Sequence, residues 1–352
     1  MYTASLDGPE VAYPAPTSPL PSRHALWKNA APGIPMITVE HVTKYYGARA
    51  AVADLSFAIE RGQVIGLLGR NGAGKTTTLK ILSGLLVPTS GRVEIDGIDL
   101  RHDPEAVRAR IGFLPENPPL YPEMTVEAYV RFVARIKGVR AGLDDRVNQA
   151  ISETDLTSVR GDAIGTLSQG FQRRVGIAQA IVHSPALVLL DEPTSSLDPA
   201  QVVQMRNLVR GLARKHTVIV SSHLLAEIEK TCDRLLLLDA GRLVGEGTEE
   251  TLAKKLSAAT SLEIEVRGSA EALGKVLVGL TAVRSHRIEV EQAGVTRARV
   301  ELATDAREEL ARAIVQAGLG LRRLERQRLE LEDIFLSLTG GTSVARSEAR
   351  AS

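Results

Sequence analysis

The stretch Gly69–Thr77, Gly-Arg-Asn-Gly-Ala-Gly-Lys-Thr-Thr, holds residue types at spacings suited to gripping phosphate. An apolar run, Val64 to Leu68, leads in, and a helix-compatible run, Thr77 to Leu86, leads out. Strand, glycine-rich turn and helix start together make a phosphate cradle. Gly69, Gly72 and Gly74 let the chain curl so that its N–H groups, with those of Asn71, Ala73 and Thr77, point inward, and the helix N-terminus adds its dipole. Lys75 reaches the β- and γ-phosphates of a nucleotide, and the Thr76 hydroxyl is a ligand for Mg²⁺. A second site-forming run is Leu187-Val-Leu-Leu-Asp191-Glu192, an apolar strand ending in two acids. Asp191 would organise the Mg²⁺ shell. Glu192, beside it, can polarise a water in line with the γ-phosphate and is the candidate general base. The bland alternatives are a glycine turn with a chance lysine and a solvated acidic loop; the strand and helix patterns around both runs argue against them.

These residues need a framework, and the chain is long enough to supply one. It has 352 residues, room for two domains with real cores. A hydrophobic share of 44% and a charged share of 24% are ordinary for a soluble chain, and the formal net charge of +1 gives no basic field aimed at nucleic acid. Aromatic residues are only 3%, too few for a base-stacking surface. Cys232 is the one cysteine, which excludes an internal disulfide and a cysteine metal cluster. No apolar run is long enough to span a bilayer, and the N-terminus lacks a signal-peptide pattern. The expectation is a cytoplasmic protein that reaches a membrane only through a partner.

Residues 1–35 contain seven of the sixteen prolines and no apolar period, and read as a disordered tail with Trp27 alone in it. From Met36 the pattern is of strands alternating with helices. Strands are expected at Ile37–Val39, Ala51–Ile59, Gln63–Leu68, Val93–Ile95, Ile111–Leu114, Leu187–Leu190 and Thr217–Val220, with a closing hairpin around Asp239-Ala240-Gly241. Thr125 to about Ser158 reads as helical, with Tyr129, Val133 and Ile136 on one stripe. This is an α/β sheet whose ligand belongs at the strand C-termini. Past about Ala258 the order becomes β-α-β-β-α-β, a split βαβ (ferredoxin-like) arrangement, followed by a helix at Leu331–Leu338. The expected organisation is a tail (1–35), a nucleotide-binding domain (36–257), a small α+β accessory domain (258–340) and a mobile end (341–352).

Leu167-Ser168-Gln169-Gly170-Phe171, followed by Gln172-Arg173-Arg174-Val175, resembles the signature sequence of the ATP-binding-cassette (ABC) ATPases. The resemblance runs from about Met36 to Gly247. It takes in the phosphate loop, the signature, Asp191-Glu192, Ser196-Leu197-Asp198 and His223. It implies a P-loop NTPase fold with a helical subdomain, and a Mg²⁺-dependent ATPase. It further implies that Tyr46 stacks on adenine, and that Ser168 and Gly170 bind the γ-phosphate of ATP held by a second copy. Asp198 would sit in the loop crossing the dimer interface, and His223 would touch the γ-phosphate and steady the water. The physical logic agrees: a phosphate loop leaves one side of the triphosphate facing water, and a helix N-terminus from a second copy can close it. From the residues alone, Tyr45 is an alternative stacker, Ser168 can cap its helix, and His223 can neighbour the N-cap of a helix at Leu224–Lys230.

Three positions depart from the family pattern. Glu116 stands where glutamine is usual, near Mg²⁺ or the water, and Gln169 and Phe171 replace a glycine and a glutamine of the signature. The runs 114–125 and 331–339 are similar to ATPases of exporters whose permease is a separate chain, including gliding-motility, nitrous-oxide-reductase-maturation and drug-export types. The implied protein is the ATPase subunit of an exporter: a homodimer sandwiching two ATP, peripheral on the inner face of the cell membrane, pushing on separate permease chains, with no nucleic acid involved. The alternatives are a soluble mechanical ATPase acting on ribosomes or DNA and a regulator that binds nucleotide without turnover. One cassette without a long heptad run argues against the first, and the complete set Asp191, Glu192 and His223 against the second.

Overall fold

The computed structural model describes residues 35–224, 228–256, 260–292 and 294–326. The tail 1–34, Trp27, the expected helix at 331–338 and the boundaries at 257/258 and 340/341 lie outside the described residues.

Two sheets, not one, build the first part. The larger has the order β10-β9-β3-β8-β7-β6. Its strands are β3 (Val64–Gly69), β6 (Ile111–Leu114), β7 (Leu187–Asp191), β8 (Thr217–Ser222), β9 (Arg234–Asp239) and β10 (Arg242–Gly247). All are parallel except β10, which closes the sheet as an antiparallel hairpin with β9. The continuous apolar runs are explained by burial on both faces. Along β7, Val188 and Leu190 enter one core while Leu187 and Leu189 enter the other, as the two-residue period of a strand demands.

A separate antiparallel sheet, β2-β1-β4-β5, covers one of those faces with α1 (Lys75–Leu82) and the short α2 (Pro104–Ala109). It is made of β1 (Ile37–Tyr46), β2 (Arg49–Ile59), β4 (Ser90–Ile95) and β5 (Ile98–Asp99). The sequence reading put these strands and the parallel ones into a single sheet. Their alternating pattern fits a sheet with a single inward face, as in Val39, Leu55 and Phe57. Helix α1 stops at Leu82 rather than running to Leu86, because Gly84 takes the left-handed conformation (φ 70°).

The other face carries α3 (Val126–Ile136), α4 (Leu143–Glu153), α5 (Gln169–Ile181) and α6 (Pro199–Leu212). The expected helical stretch from Thr125 to Ser158 is thus broken in two. Gly138 (φ 78°) and Gly142 (φ 63°) are both left-handed and turn the chain between α3 and α4. The expected stripe also shifts. Tyr129 and Val133 are buried with Val126, Val130 and Ala134, but Ile136 is exposed. Thr125 caps α3 through its hydroxyl. Glu127 ties α3 to the segment after α4 by accepting from Arg160 (2.5 Å), and it also accepts from Arg131 of α3 (2.9 Å); the two hold its carboxyl pKa down at about 2. Cys232 packs under Gly66, where burial pushes its thiol pKa up to about 12.

The last part is a four-stranded antiparallel sheet of order β12-β13-β11-β14. It consists of β11 (Thr260–Arg267), β12 (Val283–Gln292), β13 (Val295–Leu302) and β14 (Gly320–Arg326), with helices at Ala270–Val278 and Arg307–Gln316. Leu262, Ile264, Ala298 and Val300 meet Leu273, Leu277, Leu310 and Ile314 of the helices in a separate core. The chain order β-α-β-β-α-β and this pairing are the split βαβ arrangement.

The seat of α5 on the sheet is tight. A Cβ on Gly112 of β6 would stand 2.1 Å from the Ala180 carbonyl oxygen of α5. Gly112→Ala is expected to lower stability by about 1–3 kcal/mol, read from the denaturant midpoint. Gly211→Ala, with open space around a Cβ in α6, is expected to raise it by up to ~1 kcal/mol.

Candidate functional site

The site forms where β3, β8 and β7 end side by side. Strand β8 lies between the phosphate-loop strand and the acidic strand, so the loop and the acids face each other across one strand. After β3 the chain turns through Gly72 (φ 82°) and Gly74 (φ 101°) into α1. Gly74 is needed twice over: its φ is left-handed, and a Cβ there would lie 2.6 Å from the Ala51 carbonyl oxygen. The loop is braced from outside. Gly241 N, at the tip of the β9–β10 hairpin, donates to the Ala73 carbonyl (3.1 Å).

Lys75 Nζ donates to the Gly69 carbonyl (2.7 Å) and stands 3.4 Å from Glu192 Oε1, both side chains almost wholly buried. Asp191 Oδ1 accepts from Ser221 Oγ (2.6 Å) and from Thr76 Oγ1 (3.3 Å). The same Ser221 Oγ accepts from Glu192 N (2.9 Å), so one hydroxyl on β8 fixes both acidic residues. Glu192 sits at φ 49°, a left-handed conformation costly for a non-glycine residue, which turns its carboxylate toward the loop. Its Oε2 is 2.8 Å from His223 Nδ1, and the His223 ring is partly exposed beyond it.

These groups surround a cleft of about 660 Å³. Tyr46, Asn71, Gly72, Gly74, Lys75, Thr76, Thr77, Glu116, Glu192 and His223, all expected from the sequence, line it. Gly69, Ala73 and Asp191 stand behind the lining: Gly69 gives its carbonyl to Lys75, Ala73 its carbonyl to Gly241, and Asp191 its carboxylate to Thr76. Ser168, Gly170 and Asp198 are not brought to this cleft. Ser168 and Gly170 line a separate small concavity with Leu197 and Gln201. Ser168 Oγ caps α5 by accepting from Phe171 N (3.4 Å), and Asp198 caps α6 by accepting from Gln201 N (2.8 Å). Beyond His223, the helix expected at Leu224–Lys230 falls partly outside the described residues.

Sequence reasoning missed several contributors. Arg49, Arg70 and Ser195 also line the cleft. Ser221 follows the expected strand Thr217–Val220, and its role depends on which strand lies next to β7. Arg173 reaches the Glu116 carbonyl from α5. Arg49, three residues after Tyr46, carried a usable signal: a cation close to an aromatic at the mouth of a phosphate loop.

Asp191 Oδ2 is buried and has no hydrogen-bond partner. An orphaned carboxylate oxygen beside a Thr hydroxyl suits a divalent cation. Among the described residues no group of three or more His, Cys, Asp or Glu forms a cage for a metal. A hydroxyl and one carboxylate fit Mg²⁺, which takes few protein ligands and completes its shell with phosphate and water.

A family model described as "ABC transporter" matches residues 52–195. The bacitracin transport ATP-binding protein of Bacillus licheniformis is 32% identical over 311 residues, covering 88% of this chain and 99% of that protein. The linearmycin resistance ATP-binding protein of Bacillus subtilis is 30% identical, covering 87% of this chain and 99% of that one. Among solved structures, cbiO1 of Clostridium perfringens, part of an ABC transporter complex, superposes with a TM-score of 0.58 at 27% identity, over 70% of this chain and 96% of that one. A dimeric ATP-binding cassette in a post-hydrolysis state with ADP and phosphate gives 0.56 at 27%, over 60% and 98%.

Because Ser221 serves both acids, Ser221→Ala is expected to reduce kcat for nucleotide hydrolysis on the order of 10- to 100-fold, from loss of a hydrogen bond to a charged group worth about 1.5–3 kcal/mol. Phosphate release measured at saturating nucleotide checks it.

Proposed function

This chain belongs to the ABC transporter ATP-binding subunits, and we propose that its ATPase cycle drives export of a drug-type compound through a separate permease. The convergence of Lys75, Asp191, Glu192 and His223 at the ends of three neighbouring strands carries the proposal. The phosphate loop holds the β- and γ-phosphates with its N–H groups and Lys75. A Mg²⁺ held by Thr76 and Asp191 would neutralise charge on those phosphates. Glu192, turned toward the loop and hydrogen-bonded to His223, accepts the proton of a water aligned on the γ-phosphate. His223 fixes the carboxylate and presents its exposed ring edge to the same water. Tyr46, half-exposed at the cleft rim, offers a ring face to adenine; Lys44 Nζ lies 5.8 Å from its ring centroid.

The dimer is part of the proposal. Ser168, exposed, and Gly170, buried against Gln201, line a concavity apart from the chain's own phosphate loop, at the N-terminus of α5, where a second copy's ATP would be met. The solved relatives include dimeric cassettes. ATP then joins two copies about a two-fold axis, and hydrolysis releases them. Asp198, on the loop before α6, would lie in that interface.

The permease contact we propose is the face of the 117–165 segment, where Tyr121, Phe132 and Ile136 are exposed. Tyr121 and Phe132 meet edge to face with centroids 5.8 Å apart, an anchor for a short amphipathic helix. Among the described residues no helix is long and apolar enough to cross a membrane, and the proposal places the pathway in a separate permease chain. Relatives named for bacitracin transport and linearmycin resistance, matched over nearly their whole length, favour export over a mechanical role on ribosomes or DNA.

Glu192→Gln is expected to abolish phosphate release, by on the order of 10²-fold or more, while ATP binding remains. The variant should elute as a dimer in ATP and Mg²⁺; release at the wild-type rate would remove Glu192 from the base role. Phe132→Glu is expected to leave the ATPase of the isolated subunit within about two-fold and to prevent co-purification of the permease from detergent-solubilised membranes. Loss of ATP binding in that variant would overturn the docking assignment.

A further inference from the structure

Helix α5 does more than present Ser168. Its consecutive polar side chains fasten it to different parts of the chain. Gln172 Nε2 donates to the Ile164 and Leu167 carbonyls (3.2 Å each). Arg174, buried, donates to Asp155 Oδ2 (2.9 Å) and Gln204 Oε1 (2.8 Å), at the end of α4 and on α6. Both ends of the strand-to-loop passage at 113–116 are also tied to α5: Gln179 Nε2 donates to the Phe113 carbonyl (3.0 Å), and Arg173 Nη1 donates to the Glu116 carbonyl. Arg173 is half-buried on the side where Glu116, Asp191 and Glu192 gather. Burial pulls its guanidinium pKa down while those three carboxylates pull it back up. Glu116 lines the nucleotide cleft.

We infer that Arg173 is a positioning residue that links the two ATP sites of the dimer, by fixing the Glu116 loop of one site to the helix whose N-terminus serves the other. This deepens the sandwich reading above and rests on it. A shift of α5 when Ser168 and Gly170 engage the partner's ATP is passed to the Glu116 main chain through the guanidinium. The loop lining the chain's own cleft therefore feels whether the other cleft is filled. The link runs through a carbonyl oxygen, so it is independent of the residue type at position 116. An arginine suits it: its reach and several N–H donors allow it to hold a carbonyl while its charge faces nearby carboxylates. Free-energy coupling of this kind appears as cooperativity between sites.

The test is the ATP dependence of phosphate release by the full chain, compared for wild type, Arg173→Met and Arg173→Lys. Fluorescent-nucleotide binding and thermal melting run in parallel. Wild type is expected to be sigmoidal. Arg173→Met is expected to become hyperbolic and to lose about ten-fold in kcat, with nucleotide affinity of the dilute subunit unchanged within two-fold. Arg173→Lys, which keeps charge and one donor, is expected to recover part of the sigmoidicity, a recovery that simple loss of packing does not give. Sigmoidal kinetics with normal kcat in Arg173→Met would overturn the link and leave the sandwich standing. Hyperbolic kinetics in wild type would overturn the link, and a Glu192→Gln variant that stays monomeric in ATP and Mg²⁺ would overturn the sandwich and the link with it. The same comparison on a Glu116→Gln background separates mechanical linkage from charge balance. Persistence of the Arg173→Met effect supports the link through the carbonyl, and its disappearance overturns that link.

Discussion

Asp191 and Glu192 are taken out of water almost completely, at 1% and 7% exposure, and a carboxylate so placed is tolerable only if other groups replace its hydration. Much of the first part of the fold serves that requirement. Ser221 donates a hydrogen bond to Asp191 and accepts one from the Glu192 amide, Thr76 approaches Asp191, and Lys75 and His223 approach the two oxygens of Glu192. One Asp191 oxygen is left over, and it is the one that suits a cation brought in with the nucleotide. The site is therefore organised by the demand of buried charge as much as by the shape of the phosphate loop.

That demand explains the strand order. Were β7 next to β3, no side chain would stand between the acids and the loop strand to hold them apart and in register. With β8 inserted, Ser221 is the Cα partner both of Asp191 on one side and of Leu67 on the other. The hydroxyl thus reaches the acids from a strand that is itself buried on both faces. The left-handed backbone of Glu192 is supported in the same way, since its amide is one of the groups Ser221 satisfies. A strained conformation persists where neighbouring contacts over-determine it.

Legibility in the sequence follows from how local each feature is. The loop Gly69–Thr77 and the run Leu187–Glu192 could be read because strand, turn and helix are contiguous there. The β9–β10 hairpin was readable from Asp239-Ala240-Gly241 for the same reason. The division of 125–158 into α3 and α4 was missed although Gly138 and Gly142 lie in it. Isolated glycines are tolerated in helices, and only the left-handed φ of both shows that the chain turns. Ile136 kept the helical period of Tyr129 and Val133 but falls on the last turn of α3, where it is exposed. The separate antiparallel sheet was read into the parallel one, because strand pairing across long separations leaves no local trace.

The sequence by itself determined the local order: a glycine-rich turn between a strand and a helix, which acids follow which strand, and which helix begins with Ser168. These depend on neighbours within a few residues, where chain geometry fixes direction. The tertiary structure alone decided which strand lies between the loop and the acids. It also set Ser221 on both acids and kept Ser168 and Gly170 away from the chain's own cleft. It brought Arg173 to the Glu116 carbonyl, 57 residues away in the chain. Those placements come from packing both faces of one sheet at once, a condition on the whole chain that no single stretch of it expresses.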